Sequence, residues 1–336
     1  MAYKFRMAAY KIPATSITYV AVGDDGHVAV NTNLTSGSTW TTYTVPNAVD
    51  DSYALGYGKD ADGTEVFLLA TIDNDDSLLS SSAPADGAGT WDPADPGNVT
   101  NIRDVAFSDF GSRNQDKSWI GGGTSGEVIR FSSGSWQNNY LDLGSDHIWS
   151  VATDGNQNWV LTTSISNRQY QYRKSTDDGA TWTLSFSEDW VIGAQNHNKH
   201  VAYGNGVWVA SNRGRIHTAS AAGLSSDTWG LVHTAADSAH VTALQYGSNS
   251  KWMAVDTSRN VYVSTNNGLD WTQKTDISGS NTPTEVAYYD GTWIVSTDGT
   301  TNNIQTSTDD GDTWTSIAST GGVIRKFATS VILPNT

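Results

Sequence analysis

STDDGDTW, running from Ser307 to Trp314, is the stretch whose reading decides the fold, because the chain repeats it: STDDGATW occupies Ser175 to Trp182 and STNNGLDW occupies Ser264 to Trp271. Working outward, a turn-rich segment ends in tryptophan at Trp40, Trp91, Trp136, Trp182, Trp229, Trp271 and Trp314, with spacings of 42 to 51 residues. The chemistry of the turn is local. Serine, threonine and aspartate side chains at alternate positions bond nearby backbone N–H groups, glycine takes positive φ without a Cβ penalty, and the indole folds over the hairpin as an apolar lid. Between turns lie short alternating runs with no helical period. A repeat in the forties built from such strands predicts an all-β fold, a seven-bladed β-propeller with one four-stranded blade per repeat.

A second register supports the first. Another aromatic stands 17 to 24 residues before each turn tryptophan, in turn Tyr19, Phe67, Trp119, Trp159, Trp208, Trp252 and Trp293, and the two positions account for twelve of the fourteen tryptophans. In the seventh repeat the order reads inner strand from Glu285, second strand from Thr292, third strand from Asn302, turn, and outer strand from Trp314. The first repeat is one strand short, offering only Ile17 to Val22 and His27 to Thr32 before Trp40, while VIRKFATS at 323–330 is left over after the last outer strand. The surplus segment aligns with NIRDVAFS at 101–108 and is expected to serve as the inner strand of blade 1, closing the ring and removing an exposed edge.

Composition bounds the rest. The repeat runs through the 336 residues without a linker, so we read one propeller domain over 15–336 preceded by an N-terminal arm at 1–14. Thirty-five acidic against 19 basic residues give a formal charge of −16, which argues against nucleic acid and anionic membranes as partners. No cysteine is present, so disulfides and thiolate metal sites are excluded. No apolar run reads as a signal peptide or a membrane span, and a soluble protein without membrane insertion is expected.

The turns built on Ser175, Asp177, Gly179 and Trp182, on Ser264, Gly268 and Trp271, and on Ser307, Asp309, Gly311 and Trp314 resemble the Asp-box, or BNR, pattern S/T-x-D-x-G-x-T-W. The second departs from it, with Asn266 in place of aspartate and Asp270 in place of threonine, and the other four turns are degenerate. That pattern occurs in sialidases, two-propeller xyloglucanases, sortilin-type receptors and the seven-bladed photosystem assembly factors, so the resemblance implies a propeller hairpin and is nearly silent about function. The opening MAYKF, with the acidic, cysteine-free, Ser/Thr/Asn/Gly-rich style of the chain, resembles structural proteins of marine tailed phages. That resemblance implies a virion component.

Candidate contact residues follow from the assignment. Three successive blades place an arginine between second and third strands, Arg168, Arg213 and Arg259, and together they suit a carboxylate, sulfate or sialic-acid clamp. At the starts of the inner strands Ser52, Asp104, Ser150, His200, Glu285 and Lys326 form a second candidate ring, preceded by Arg103, Trp149, Lys199 and Arg325. Trp149 and Trp190 are the tryptophans outside both registers and are candidates for stacking on a sugar or a partner. HNKH, with His197 and His200, has no third ligand in sight, and the DDG and NNG turns lack the later glutamate of a calcium loop, so neither a metal nor another cofactor is expected.

No catalytic residue is assigned. A sialidase needs a tyrosine nucleophile, a glutamate and an acid/base aspartate, and the chain has seven repeats rather than six and lacks the N-terminal arginine motif of those enzymes. The reading is a non-enzymatic binding or structural propeller in a virion, as a tail, appendage or capsid-associated protein contacting host glycan or another virion or assembly protein. The alternatives are a sialidase-like glycoside hydrolase and an assembly factor of the photosystem type.

Overall fold

Twenty-eight strands, grouped as seven antiparallel sheets of four, arrange the described chain as a ring of blades. The structure, a computed structural model, describes residues 17–35, 38–45, 52–71, 78–94, 101–109, 117–132, 135–141, 147–165, 169–189, 200–235 and 239–329. The proposed arm at 1–14 lies outside these residues. Blade 4 shows the pattern: inner strand Ile148–Thr153, second strand Trp159–Ile165, third strand Gln169–Ser175 and outer strand Thr183–Asp189, each paired with the next.

Blade 1 is completed from the other end of the chain. Its sheet runs Ile324–Thr329, Tyr19–Gly23, His27–Asn31, Thr41–Thr44, with Tyr19 opposite Thr329 and Val22 opposite Lys326. The expected closing strand therefore takes the inner position of the first blade.

The apolar core is divided among the gaps between blades, one buried cluster for each neighbouring pair. The upstream aromatics explain this, since they sit in the second strands and each packs against the preceding blade. Trp159 joins Ile120 and Val128 of blade 3, and Trp252 joins Val209 and Ile216 of blade 5. Trp159, Trp208, Trp252 and Trp293 are fully buried, and truncating any one to alanine costs about 3–5 kcal/mol. Gly58 leaves room for such a ring, because a Cβ there would lie 2.6 Å from the indole of Trp119 and 2.3 Å from Phe107.

The tryptophan turns tie the two aromatic registers together. In the fourth blade Ser175 Oγ accepts the Gly179 N–H at 2.8 Å, Asp177 Oδ1 accepts the Thr181 N–H at 2.9 Å, and Trp182 Nε1 donates to the Gly179 carbonyl at 3.1 Å. The turns at Ser264 and Ser307 repeat the serine and Asp/Asn bonds. The next residue of each turn adopts positive φ and reaches inward: Asp178, Asn267 and Asp310 accept the indole N–H of Trp159, Trp252 and Trp293 at 3.1, 3.3 and 3.2 Å. Asp178 also binds Ser118 and Arg130 of blade 3, and Asp310 binds Lys251 of blade 6. One carboxylate thus staples its own second strand to the preceding blade. The fifth blade departs from the all-strand expectation. Lacking the serine and aspartate of the motif, AAGLS closes as a short helix, Ala221–Ser225, with Leu224 buried and Lys174 Nζ donating to the Leu224 carbonyl at 2.7 Å.

Candidate functional site

A β-bulge recurs where the inner strands begin. Pairing skips from Ile102 to Asp104, from Ile148 to Ser150, from Val241 to Ala243 and from Pro283 to Glu285, with the same irregularity at Tyr53 and Arg325. The extra residue breaks the alternation of the pleat, so consecutive side chains are re-aimed. In blades 1, 3, 4 and 7 the residue after the bulge lines the central channel, as Lys326, Asp104, Ser150 and Glu285, together with His200 of blade 5. In blade 2 the equivalent position is Ala54 rather than Ser52, which lies before the bulge; the sequence register there is corrected by two residues.

The channel, a cavity of about 290 Å³, is closed by its own charges. Lys326 Nζ lies 2.8 Å from Glu285 Oε2 and 3.4 Å from Asp104 Oδ1, joining blade 1 to blades 7 and 3. Asp104 Oδ2 accepts the Val151 N–H at 3.0 Å, and Ser150 Oγ accepts the Val201 N–H at 3.3 Å, so these side chains also bind blade 3 to blade 4 and blade 4 to blade 5. Burial pushes the Glu285 carboxyl above its ordinary value against the opposing pull of Lys326. Burial works against the charge of Lys326, but Asp104 and Glu285 prevail and hold its pKa above that of an ordinary lysine. Burial, reinforced by the Lys326 charge, lowers His200 to about 3, so its ring is neutral.

Residues at the bulge itself directly precede the channel-lining side chains. The Arg103 guanidinium lies 4.9 Å over the Trp149 ring, and Trp149 Nε1 donates to Ser164 Oγ at 3.1 Å. His147 meets Trp149 edge-on at 5.6 Å. Arg325 forks onto Asp24 at 2.6 and 2.9 Å. Lys199 and Trp190 lie outside the described residues.

Arg213 and Arg259 occupy equivalent hairpin tips on blades 5 and 6, both with positive φ, 51° and 71°. The following interblade connection is bonded to each tip, Val241 N–H to the Arg213 carbonyl at 2.7 Å and Ile277 N–H to the Arg259 carbonyl at 3.1 Å. Arg213 lines a cleft of about 250 Å³ between blades 4 and 5, and Arg259 is not part of its wall. Arg168 lies outside the described residues.

The sequence reading missed most of that cleft. Glu188 is paired with Arg215, and its second oxygen accepts Asn212 Nδ2 at 3.0 Å. Behind it Tyr172 OH and His217 Nδ1 share a hydrogen bond of 3.1 Å. Burial lowers His217 to about 4, overriding the opposing effect of Glu188, while burial raises Tyr170 against the charge of Arg213. The signal was present in the third strands, where Tyr170 and Tyr172 of one blade and Arg215 and His217 of the next stand two residues apart, each pair on one face of its strand.

Fold and site together define a seven-bladed β-propeller with four-stranded blades, a charge-filled channel and a polar cleft between two blades. No family model matches the chain, and no curated protein matches it in sequence. Solved structures resemble it. YCF48 from Cyanidioschyzon merolae is 15% identical, over 81% of this chain and 86% of that one, with a TM-score of 0.55. YCF48 bound to D1 peptide is 15% identical, over 82% and 84%, at 0.56. A streptogramin B lyase is 14% identical, over 79% and 81%, at 0.56. At such identities the likeness is one of fold alone, and the fold serves binding proteins and enzymes alike. Among the described residues no helix is long and apolar enough to cross a membrane.

Proposed function

We propose that this propeller is a non-enzymatic binding platform, a tail, appendage or capsid-associated component of a phage virion, whose bulge-bearing face contacts host glycan or another virion protein. The observation that carries the binding role is the Arg103–Trp149 stack beside the channel-lining Asp104 and Ser150, with the indole N–H fixed by Ser164. Both side chains are half-buried, and arginine and tryptophan are residue types that anchor interfaces. The ionisable groups nearby favour binding over catalysis: Lys326 is clamped by two carboxylates, His200 and His217 are held neutral, and burial raises the Tyr170 phenol instead of activating it. The hydrogen bonds of the Ser175 and Ser307 turns fit the Asp-box pattern, which supports a propeller hairpin and leaves function open. The virion assignment rests on the MAYKF opening and the acidic, cysteine-free composition.

Capture of virion proteins and a glycan array test the role, comparing the native chain with the Arg103→Ala/Trp149→Ala double variant. The native chain is expected to retain a partner that the variant loses. Turnover of a fluorogenic glycoside would install the hydrolase reading in its place, and retention of a subunit from host membranes would install the assembly-factor reading. Mass spectrometry of purified virions that finds no such chain would remove the virion assignment.

A further inference from the structure

We infer that the cleft between blades 4 and 5 binds an acidic sugar of single-ring size, with Arg213 clamping its carboxylate. The inference rests on the platform reading and assigns a ligand class to part of the same face.

The first support is conformational. Other hairpin tips with positive φ carry Asp25, Ser125 and Asn302, residues that are short and polar. An arginine gains nothing locally from that conformation, which L-residues other than glycine, asparagine and aspartate seldom adopt. Local backbone preference therefore accounts neither for Arg213 nor for Arg259 at the equivalent tip of the next blade, and of the two only Arg213 lines the cleft.

The second is preorganisation. Val241 N–H bonds the Arg213 carbonyl at 2.7 Å, Ala235 N–H bonds the Gly214 carbonyl at 2.6 Å, and a Cβ on Gly214 would lie 2.4 Å from the Ala239 carbonyl oxygen. The tip is therefore held down on both sides. A side chain presented from a locked backbone loses less entropy when it binds.

The third is charge. Arg215 is paired with Glu188, whereas the Arg213 guanidinium has no hydrogen bond or ion pair among the described residues. Among the described residues the cleft thus offers one unengaged cation in a chain of net charge −16. Arg213 shares the cleft wall with Tyr170 and His240. A planar guanidinium matches a carboxylate through two parallel N–H bonds.

The fourth selects the rest of the ligand. Asp189 lies at the rim, with Oδ1 bonded to Gln169 at 2.9 Å, and its carboxylate accepts hydroxyl donors. A cleft of about 250 Å³ is smaller than the roughly 300–1,000 Å³ that holds drug-sized molecules, so one ring bearing a carboxylate and hydroxyls fits it.

Isothermal titration of the full chain at low salt tests this with glucuronate, N-acetylneuraminate, glucuronate methyl ester, glucose and glycine as probes. At least one acidic sugar is expected to bind, with the methyl ester and glucose at least about tenfold weaker. Arg213→Asn keeps a residue that tolerates positive φ, so it is expected to weaken the acid at least about tenfold without lowering Tm, while Arg259→Asn leaves binding unchanged. Failure of both acids to bind, equal binding of glucose, tighter binding of glycine, or binding unaffected by Arg213→Asn would overturn the inference. Partner capture by the Arg213→Asn variant separates the two claims: if the Trp149 face still captures its partner while the native cleft binds no acid, the inference alone fails.

Discussion

Replacing Lys326 by methionine removes the cation that two channel carboxylates share, and the structure sets the size of the effect. Lys326, Glu285 and Asp104 have side-chain exposures of only 15%, 13% and 11%, so water screens them poorly. Truncating one partner of a buried pair leaves the other charge uncompensated and costs about 3–5 kcal/mol. With an unfolding entropy near 2.1 cal/mol/K per residue over 336 residues, that corresponds to a fall in Tm of roughly 4–7 °C. Lys274→Met is the matched control. Its partner Asp312 is 60% exposed, surface pairs contribute about 0–1 kcal/mol, and the expected shift is below about 1.5 °C.

The pH dependence of the same variant has a definite sign. Burial already raises Glu285, and Lys326 opposes that rise. Without the lysine the folded variant holds the Glu285 proton to higher pH than the unfolded chain does. Its deficit is therefore largest at neutral pH and shrinks as pH falls toward the ordinary carboxylate range, where the group is protonated in both states. Scanning calorimetry at pH 7 and pH 5 measures both effects. A Lys326→Met shift no larger than that of Lys274→Met, or a gap that widens on acidification, would refute the claim that this cluster latches the ring.

Two further outcomes follow from the fold. Asp178→Ala strips Arg130 of its carboxylate and leaves the Trp159 and Ser118 donors unmatched inside the gap between blades 3 and 4, so urea denaturation should show a loss of about 3 kcal/mol. A double-mutant cycle with Arg130→Met should give a coupling of more than about 0.5 kcal/mol; additive effects would remove the staple. Deleting 320–336 takes away the inner strand of blade 1 and with it Ile324, Lys326 and Phe327, so the truncated chain should melt far below the native one or fail to fold, and an unchanged melt would contradict the closure.

The fold was legible because its determinants are local and repeated. Ser307, Asp309 and Gly311 make their turn from within five residues, and that turn reads the same way at Ser175 and Ser264. Even the ring closure, a contact across some 300 residues, was visible as a counting mismatch of one strand missing at the start and one left over at the end. The site was less legible. The sequence singles out Arg103, Trp149 and Arg325 as candidates, but that Arg325 is engaged by Asp24 and Arg103 stacks on Trp149 depends on neighbours that no single repeat contains. The misplaced Ser52 has the same origin: a bulge inserts one residue without a composition signal, and the pleat alternation cannot be counted through it.

By itself, then, the amino-acid order determined the number of blades, the strand order within each and the strand that seals the ring, since those follow from short-range hydrogen bonding and from apolar side chains recurring at a fixed period. Only the tertiary structure decided which polar side chains meet. The pairing of Lys326 with Glu285 and Asp104, the carboxylate of Asp178 between two blades, and the cleft that unites Arg213 with Glu188 all arise where separate repeats are brought side by side, and the angle and register of that contact are set by packing between blades.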